Sequence, residues 1–188
     1  MSAHVSALCR SCYFQLRQLR PIARSLTVDT TRTLVQAFIS CRLDYCNSLF
    51  YGMTDTLFRR LQSIQNAAAR LVTGTRRCEH IQPVLRRLHW LPVRQRVDFK
   101  MATLVYQALQ GLTPSYLSDD CRLLASMGRR TLRSSATNTC FVPGFNNSFG
   151  KRSFSFAGPT LWNSLPVSLR IERGFSTFKR LLKTHLFR

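Results

Sequence analysis

Apolar residues recur every three or four positions through most of the chain up to Leu117, the spacing that lines one side of a helix. The pattern is clearest at Leu57, Leu61, Ile64, Ala68, Leu71 and Val72, with Arg59, Arg60, Ser63, Asn66 and Arg70 elsewhere on the cylinder. Thr54 or Asp55 is placed to cap the start of this helix by accepting a bond from an orphan amide, and Gly74 to close its end in the left-handed conformation. Just upstream, Leu34, Val35, Phe38, Ile39, Tyr45, Cys46, Leu49 and Phe50 repeat with the same period and stop near Tyr51 and Gly52. Two amphipathic helices so close in sequence bury their apolar sides by folding back on each other, which predicts a helical hairpin.

Around that hairpin the same reading extends in both directions. Val5, Leu8, Cys9, Cys12, Leu16 and Leu19 form a stripe that predicts a helix over about residues 3–19, ended by Pro21, which has no amide to give. Thr27 and Asp29 suit the positive end of a second helix. After the basic link Thr75-Arg76-Arg77-Cys78, a short amphipathic segment carries Ile81, Val84, Leu85 and Leu88. Pro92 then precedes a run of Val97, Met101, Leu104, Val105 and Ala108 that stops at Gly111, and Thr113-Pro114 opens one more short helix. From about Ala125 the helical period is lost in sequence rich in Ser, Thr, Asn, Gly and Arg. Cys140-Phe141-Val142 and the alternating Ser153-Phe154-Ser155-Phe156, with Pro143-Gly144 and Asn146-Asn147 between them, predict a small, irregular β-hairpin. Gly158-Pro159 begins a short helix with Leu161, Trp162 and Leu165, and Ser176 caps a last one with Phe178, Leu181, Leu182 and Leu186. The expected fold is mainly α, a helical bundle built on the αα-hairpin, divided into a helical domain at 1–124 and a basic C-terminal segment at 125–188 packed on it.

Charge changes this picture from a generic bundle to one with a partner. Against 28 Lys plus Arg stand only 8 Asp plus Glu, a net charge of +20. Such a molecule repels itself unless a polyanion or salt neutralises it. Arginine predominates, and its planar guanidinium grips phosphate with two donors and stacks on rings. The candidate phosphate contacts are Arg59, Arg60, Arg70, Arg76 and Arg77 on or just after the central helix; Arg86, Arg87, Arg94, Arg96 and Lys100 beyond it; and Arg129, Arg130, Arg133, Lys151 and Arg152 around the irregular region. Taken singly, each is an ordinary solvated cation. As a set with few acids to pair with, they predict salt-dependent binding of RNA or DNA with little sequence preference. Phe58, Trp90, Phe99, Phe141, Phe154, Phe156 and Trp162 are assigned to the core, whereas Phe145 and Phe149, inside the turn, are candidates for contact with a partner.

Catalytic and metal chemistry finds little purchase in the sequence. Two-metal phosphoryl transfer needs clustered carboxylates. The one adjacent pair, Asp119-Asp120 after Tyr116-Leu117-Ser118, has the wrong spacing and sits at the end of a helix rather than in a strand turn. Cys9-x-x-Cys12 has the spacing of redox and zinc pairs, but both thiols lie on the apolar stripe and no second pair follows. Cys78, His80 and His89 lack a partner set as well. No cofactor or metal is therefore expected. The seven scattered cysteines and the lack of an N-terminal apolar leader point to reduced thiols in the cytosol or nucleus. No apolar run is long enough to span a bilayer, although a basic helix lying on a membrane surface stays open.

Several phrases resemble, in order, the C-terminal region of non-LTR (LINE-type) retrotransposon reverse transcriptases. They are RLDYCNSLFYG, QNAAARLVTG, HIQPVLRRLHWLPVRQRVDFK, LVYQALQGLTPSYLSD, RSFSFAGPTLWNSLP and FSTFKRLLKTHLF. The resemblance covers nearly the whole chain and includes no catalytic motif. It implies a thumb-like, post-palm part of an RNA-directed DNA polymerase. In that reading the fingers and the palm with its aspartates lie outside this chain, which is then not an enzyme by itself. The implied role is to grip template and primer, with the palm of a parent polymerase as a further partner. The alternative is a retroelement remnant that acts, if at all, as a structural or protein-interaction fragment.

Overall fold

A computed structural model of the protein describes residues 1–126, 137–145, 147 and 149–187. The described residues are mainly helical, and the chain divides into two compact units. One comprises Met1–Leu49 with Met53–Arg96, the other Phe50–Gly52 with Val97–Arg188. The division thus falls inside a helix, whereas the composition change that suggested a boundary lies near residue 125.

The first unit opens with α1, Ser2–Ile22, whose buried residues Val5, Cys9, Cys12, Leu16 and Leu19 are the predicted stripe. Pro21 does not end this helix but lies in its last turn, where the missing amide removes one ladder bond and the chain passes into a single 3₁₀ turn, Ala23–Ser25. Thr27 caps α2, Val28–Val35, its Oγ1 accepting from the Thr30 amide at 3.2 Å. The helical path continues through a π-helical turn, Gln36–Ser40, into the short α3, Cys41–Asp44. There the first arm of the hairpin breaks, about two turns earlier than its apolar pattern suggests. Tyr45 turns to an extended backbone and Cys46 takes a positive φ of 49°, so Tyr45 and Leu49 stand 74% and 63% exposed instead of facing inward.

The second arm is α4, Asp55–Thr73, with Phe58, Leu61, Ile64, Ala68, Ala69 and Val72 buried. Each large aliphatic side chain taken out of water here stabilises the unit by roughly 1.5–3 kcal/mol. Neither Thr54 nor Asp55 makes the expected side-chain cap; the Thr54 carbonyl receives the Leu57 and Phe58 amides instead. Gly74 does close the helix, at φ +68°, its amide bonded to the Arg70 carbonyl. α1 and α2 both pack on α4, as does α5, Ile81–Arg87. Two polar ties fasten the next segment. Buried Gln65 donates to the Leu91 carbonyl at 2.8 Å, and Gln62 accepts the Val93 amide at 2.8 Å, satisfying an orphan donor at the start of α6, Val93–Leu109.

The second unit is organised on the later turns of α6. α7, Ser115–Asp120, is followed beyond the undescribed residues by α8, Phe154–Ser164, α9, Val167–Arg170, and α10, Phe175–Leu186. Tyr106 stacks on Phe178 with centroids 4.4 Å apart and Trp162 lies 5.8 Å from the same ring, an aromatic cluster closed by the Tyr106 hydroxyl donating to the Arg173 carbonyl. Ala102, Val105, Leu165, Leu169 and Leu182 complete this core.

The predicted β-hairpin does not form. Ser153-Phe154-Ser155-Phe156 is the first turn of α8, because Phe154, Ala157, Gly158, Leu161 and Trp162 carry a helical period over a longer window than the four alternating residues. The Ser153 carbonyl accepts the Ala157 amide at 2.9 Å to start it, four residues ahead of the expected Gly158-Pro159 beginning. Cys140 instead makes an isolated antiparallel bridge with Leu123, the only β pairing among the described residues, and Asn146 of the predicted turn lies outside them. This extended segment is pinned by side chains of α8. Asn163 accepts the Cys140 amide at 2.9 Å and donates to the Cys140 carbonyl at 2.8 Å, as a neighbouring strand would, while the Trp162 indole donates to the Asn138 carbonyl.

Candidate nucleic-acid interface

Within the first unit, α1 and α4 leave a groove of about 980 Å³ between two stripes of side chains. From α1 and the turn after it come Tyr13, Arg17, Arg20 and Arg24, spaced so that all four fall on one side of the helix. From α4 and its exit come Ser63, Asn66, Ala67, Arg70, Leu71 and Arg77. Five arginines line the groove and no acidic side chain does. Cations without intervening carboxylates raise the local potential, and low-dielectric walls focus it, which draws in anions.

The arginines differ in how they are held. Arg17, Arg20, Arg24 and Arg77 are exposed. Arg70 is partly buried and donates from Nε to the Arg76 carbonyl and from one terminal nitrogen to the carbonyls of Arg77 and Glu79, at 3.3 to 3.4 Å. The link after Gly74 is further tied by Glu79, whose carboxylate accepts the Arg76 amide at 2.9 Å. Arg70 therefore positions the loop that presents Arg77. Across the groove, the Tyr13 hydroxyl and Ser63 Oγ share a hydrogen bond of 2.8 Å that fixes the ring between the two helices.

Of the phosphate contacts expected from sequence, Arg70 and Arg77 reach this groove. Arg59, Arg60, Arg76, Arg86 and Arg87 lie exposed on α4, on the link and on α5, outside its lining. Two others are engaged by neighbouring side chains, Arg96 mostly buried and Arg94 at the surface. Arg96, with 13% of its side chain exposed, holds both oxygens of Asp44 at 2.8 Å and donates to the Leu91 carbonyl. Arg94 lies over the Phe58 ring at 4.7 Å and pairs with Asp55. In the second unit Lys100 and Lys151 are exposed, while Arg152 is half-buried, its stem close against Gly52. Arg129, Arg130 and Arg133 lie outside the described residues. Arg17, Arg20 and Arg24 went unremarked in the sequence, although their spacing with Tyr13 is itself a helical stripe and would have marked them.

The other candidates resolve locally. Phe149 is 83% exposed, whereas Phe145 packs edge-on against Phe156 at 6.1 Å. Cys9 and Cys12 are buried in the α1 stripe; burial raises the Cys9 thiol and pushes Cys12 up to about 11, the field of Arg42 only partly opposing it. Asp119 and Asp120 end α7 in solvent. Among the described residues no three His, Cys, Asp or Glu side chains converge to hold a metal ion, and no helix is long and apolar enough to cross a membrane. No protein-family model matches the chain, and neither the curated proteins nor the solved structures contain a match to it.

Proposed function

We propose that this protein binds RNA or DNA along the sugar-phosphate backbone in the α1–α4 groove, as the thumb-like part of a LINE-type reverse transcriptase whose palm carries out the chemistry. The observation that carries the binding is a groove lined by five arginines and no acid. The sequence phrases from RLDYCNSLFYG to FSTFKRLLKTHLF support the parentage. In this role the protein holds template and primer by phosphate contacts that are indifferent to sequence, and the catalytic aspartates belong to the polymerase it serves.

Fluorescence anisotropy with labelled oligonucleotides over a range of salt concentrations tests the binding. Affinity is expected to fall linearly on a log–log plot, and the combined variant Arg17→Ala, Arg20→Ala, Arg24→Ala to flatten the slope by about 2 to 3. Removing Arg59, Arg60 and Arg87, outside the groove, should flatten it far less. Equal changes would mean a diffuse basic surface, and absence of binding at low salt would end the reading.

One feature favours a second reading, a protein-interaction or structural fragment. Tyr45 and Leu49 present their apolar surface to solvent beside the break after α3. If contact with another protein is the role, light scattering should show self-association that Tyr45→Ser with Leu49→Ser abolishes, without any effect on nucleic-acid binding.

A further inference from the structure

Arg17, Arg20, Arg24 and Arg77, all exposed, form the rim of this groove, whose lining also includes partly buried Arg70. Buried Leu16 and the partly buried Ala23, Ala67 and Leu71 give it an apolar interior, together with the Tyr13 ring, which is 43% exposed although its hydroxyl is anchored. Asn66 adds a directed polar group: its oxygen accepts from Gln62 Nε2 at 2.8 Å, which leaves the amide N–H groups for a ligand. A double helix stacks its bases inside and offers a sugar-phosphate exterior, so it would meet the rim and leave the apolar interior wet. An unpaired strand presents both kinds of surface at once, phosphates for guanidinium groups and ring faces for an aromatic side chain. We infer that the groove takes a single-stranded segment, with phosphates on Arg17, Arg20, Arg24 and Arg77 and a base seated on Tyr13 beside Asn66. This inference rests on the nucleic-acid reading above and specifies its ligand.

The test compares the affinity of the whole 188-residue chain for a labelled 12-nucleotide strand and for the blunt duplex of the same sequence, at matched salt. The wild type is expected to prefer the single strand. Tyr13→Ala should weaken single-strand binding about tenfold, in line with the loss of one base–aromatic stack, and leave the duplex affinity and the salt slope unchanged. Tyr13→Phe, which keeps the ring and gives up only the bond to Ser63, should retain most of the single-strand affinity, and thermal melts of both variants establish that they fold. A duplex bound as tightly as the single strand, or an equal loss on both ligands in Tyr13→Ala, would overturn the single-strand inference while leaving backbone binding in place. Binding of neither ligand would overturn both.

Discussion

A thiol enclosed by apolar side chains is a poor acid, because the thiolate loses its hydration and gains nothing in exchange. Burial, with a like-charge contribution from neighbours, pushes Cys121 and Cys140 up to about 12, and Cys12 up to about 11. In the unfolded chain these thiols ionise near their ordinary value of 9.0. Above that value the unfolded state sheds protons that the native state keeps, so stability is expected to fall steadily as pH rises from about 9 toward 11. Urea midpoints at pH 8 and pH 10.5 measure it. Iodoacetamide in native buffer should label Cys41, Cys46 and Cys78, which are exposed, well before the buried four. Arginines are equally unequal. Arg96→Gln strands Asp44 opposite a neutral amide and should destabilise the protein by about 1–2 kcal/mol, moderated because Asp44 is partly solvated. Arg59→Gln on exposed α4 should stay within about 0.5 kcal/mol in the same urea titration.

Helices that pack closely depend on small residues at their contacts. A Cβ on Gly158 of α8 would come within 2.9 Å of Val105 Cγ2, and Val105 is fully buried on α6. Gly158→Ala is therefore expected to cost about 1–3 kcal/mol by overpacking, seen as a lower Tm. The extended segment around Cys140 depends on one side chain of the same helix. Asn163→Ala removes both of its bonds to the Cys140 backbone and should speed hydrogen exchange of the Cys140 amide, with a loss of about 1–3 kcal/mol. These elements also show what the sequence could tell. Stripes such as Val5-Cys9-Cys12-Leu16-Leu19 located α1, and the apolar rows did the same for α4, α6 and α10, since burial of one side imposes a period. Glycine stops at Gly74 and Gly111 were legible because a left-handed residue favours glycine. The turn of Asn163 toward Cys140, and the way Gln62 and Gln65 fasten the approach to α6, were not, because such bonds link positions 23 to 31 residues apart with no periodic trace. The Ser-Phe alternation misled for a related reason: a four-residue pattern fits either period, and the wider spacing through Trp162 decided for helix. The groove itself is half legible, through Arg70 and Arg77 on and just after the central helix but not through Arg17, Arg20 and Arg24 on its neighbour.

A molecule with a net charge of +20 carries self-repulsion into its folded state. Carboxylates hold Arg94, through Asp55, and Arg96, through Asp44, and with 8 Asp plus Glu against 28 Lys plus Arg most cations have no acid to pair with. The Tm is thus expected to rise with added salt, and to rise further at constant ionic strength when an oligonucleotide binds the native state alone. The second increment should shrink in the Arg17→Ala, Arg20→Ala, Arg24→Ala variant, and differential scanning fluorimetry reads both.

Arg70 gives that electrostatic account a geometric condition. Its planar fork holds three backbone carbonyls of the link at once, those of Arg76, Arg77 and Glu79, something a single ammonium on a flexible stem has no shape to do. Arg70→Lys would keep every positive charge in place and still let the rim that carries Arg77 go slack. An exchange usually filed as conservative would then weaken a ligand's hold by loosening the scaffold, with the molecule's overall charge untouched.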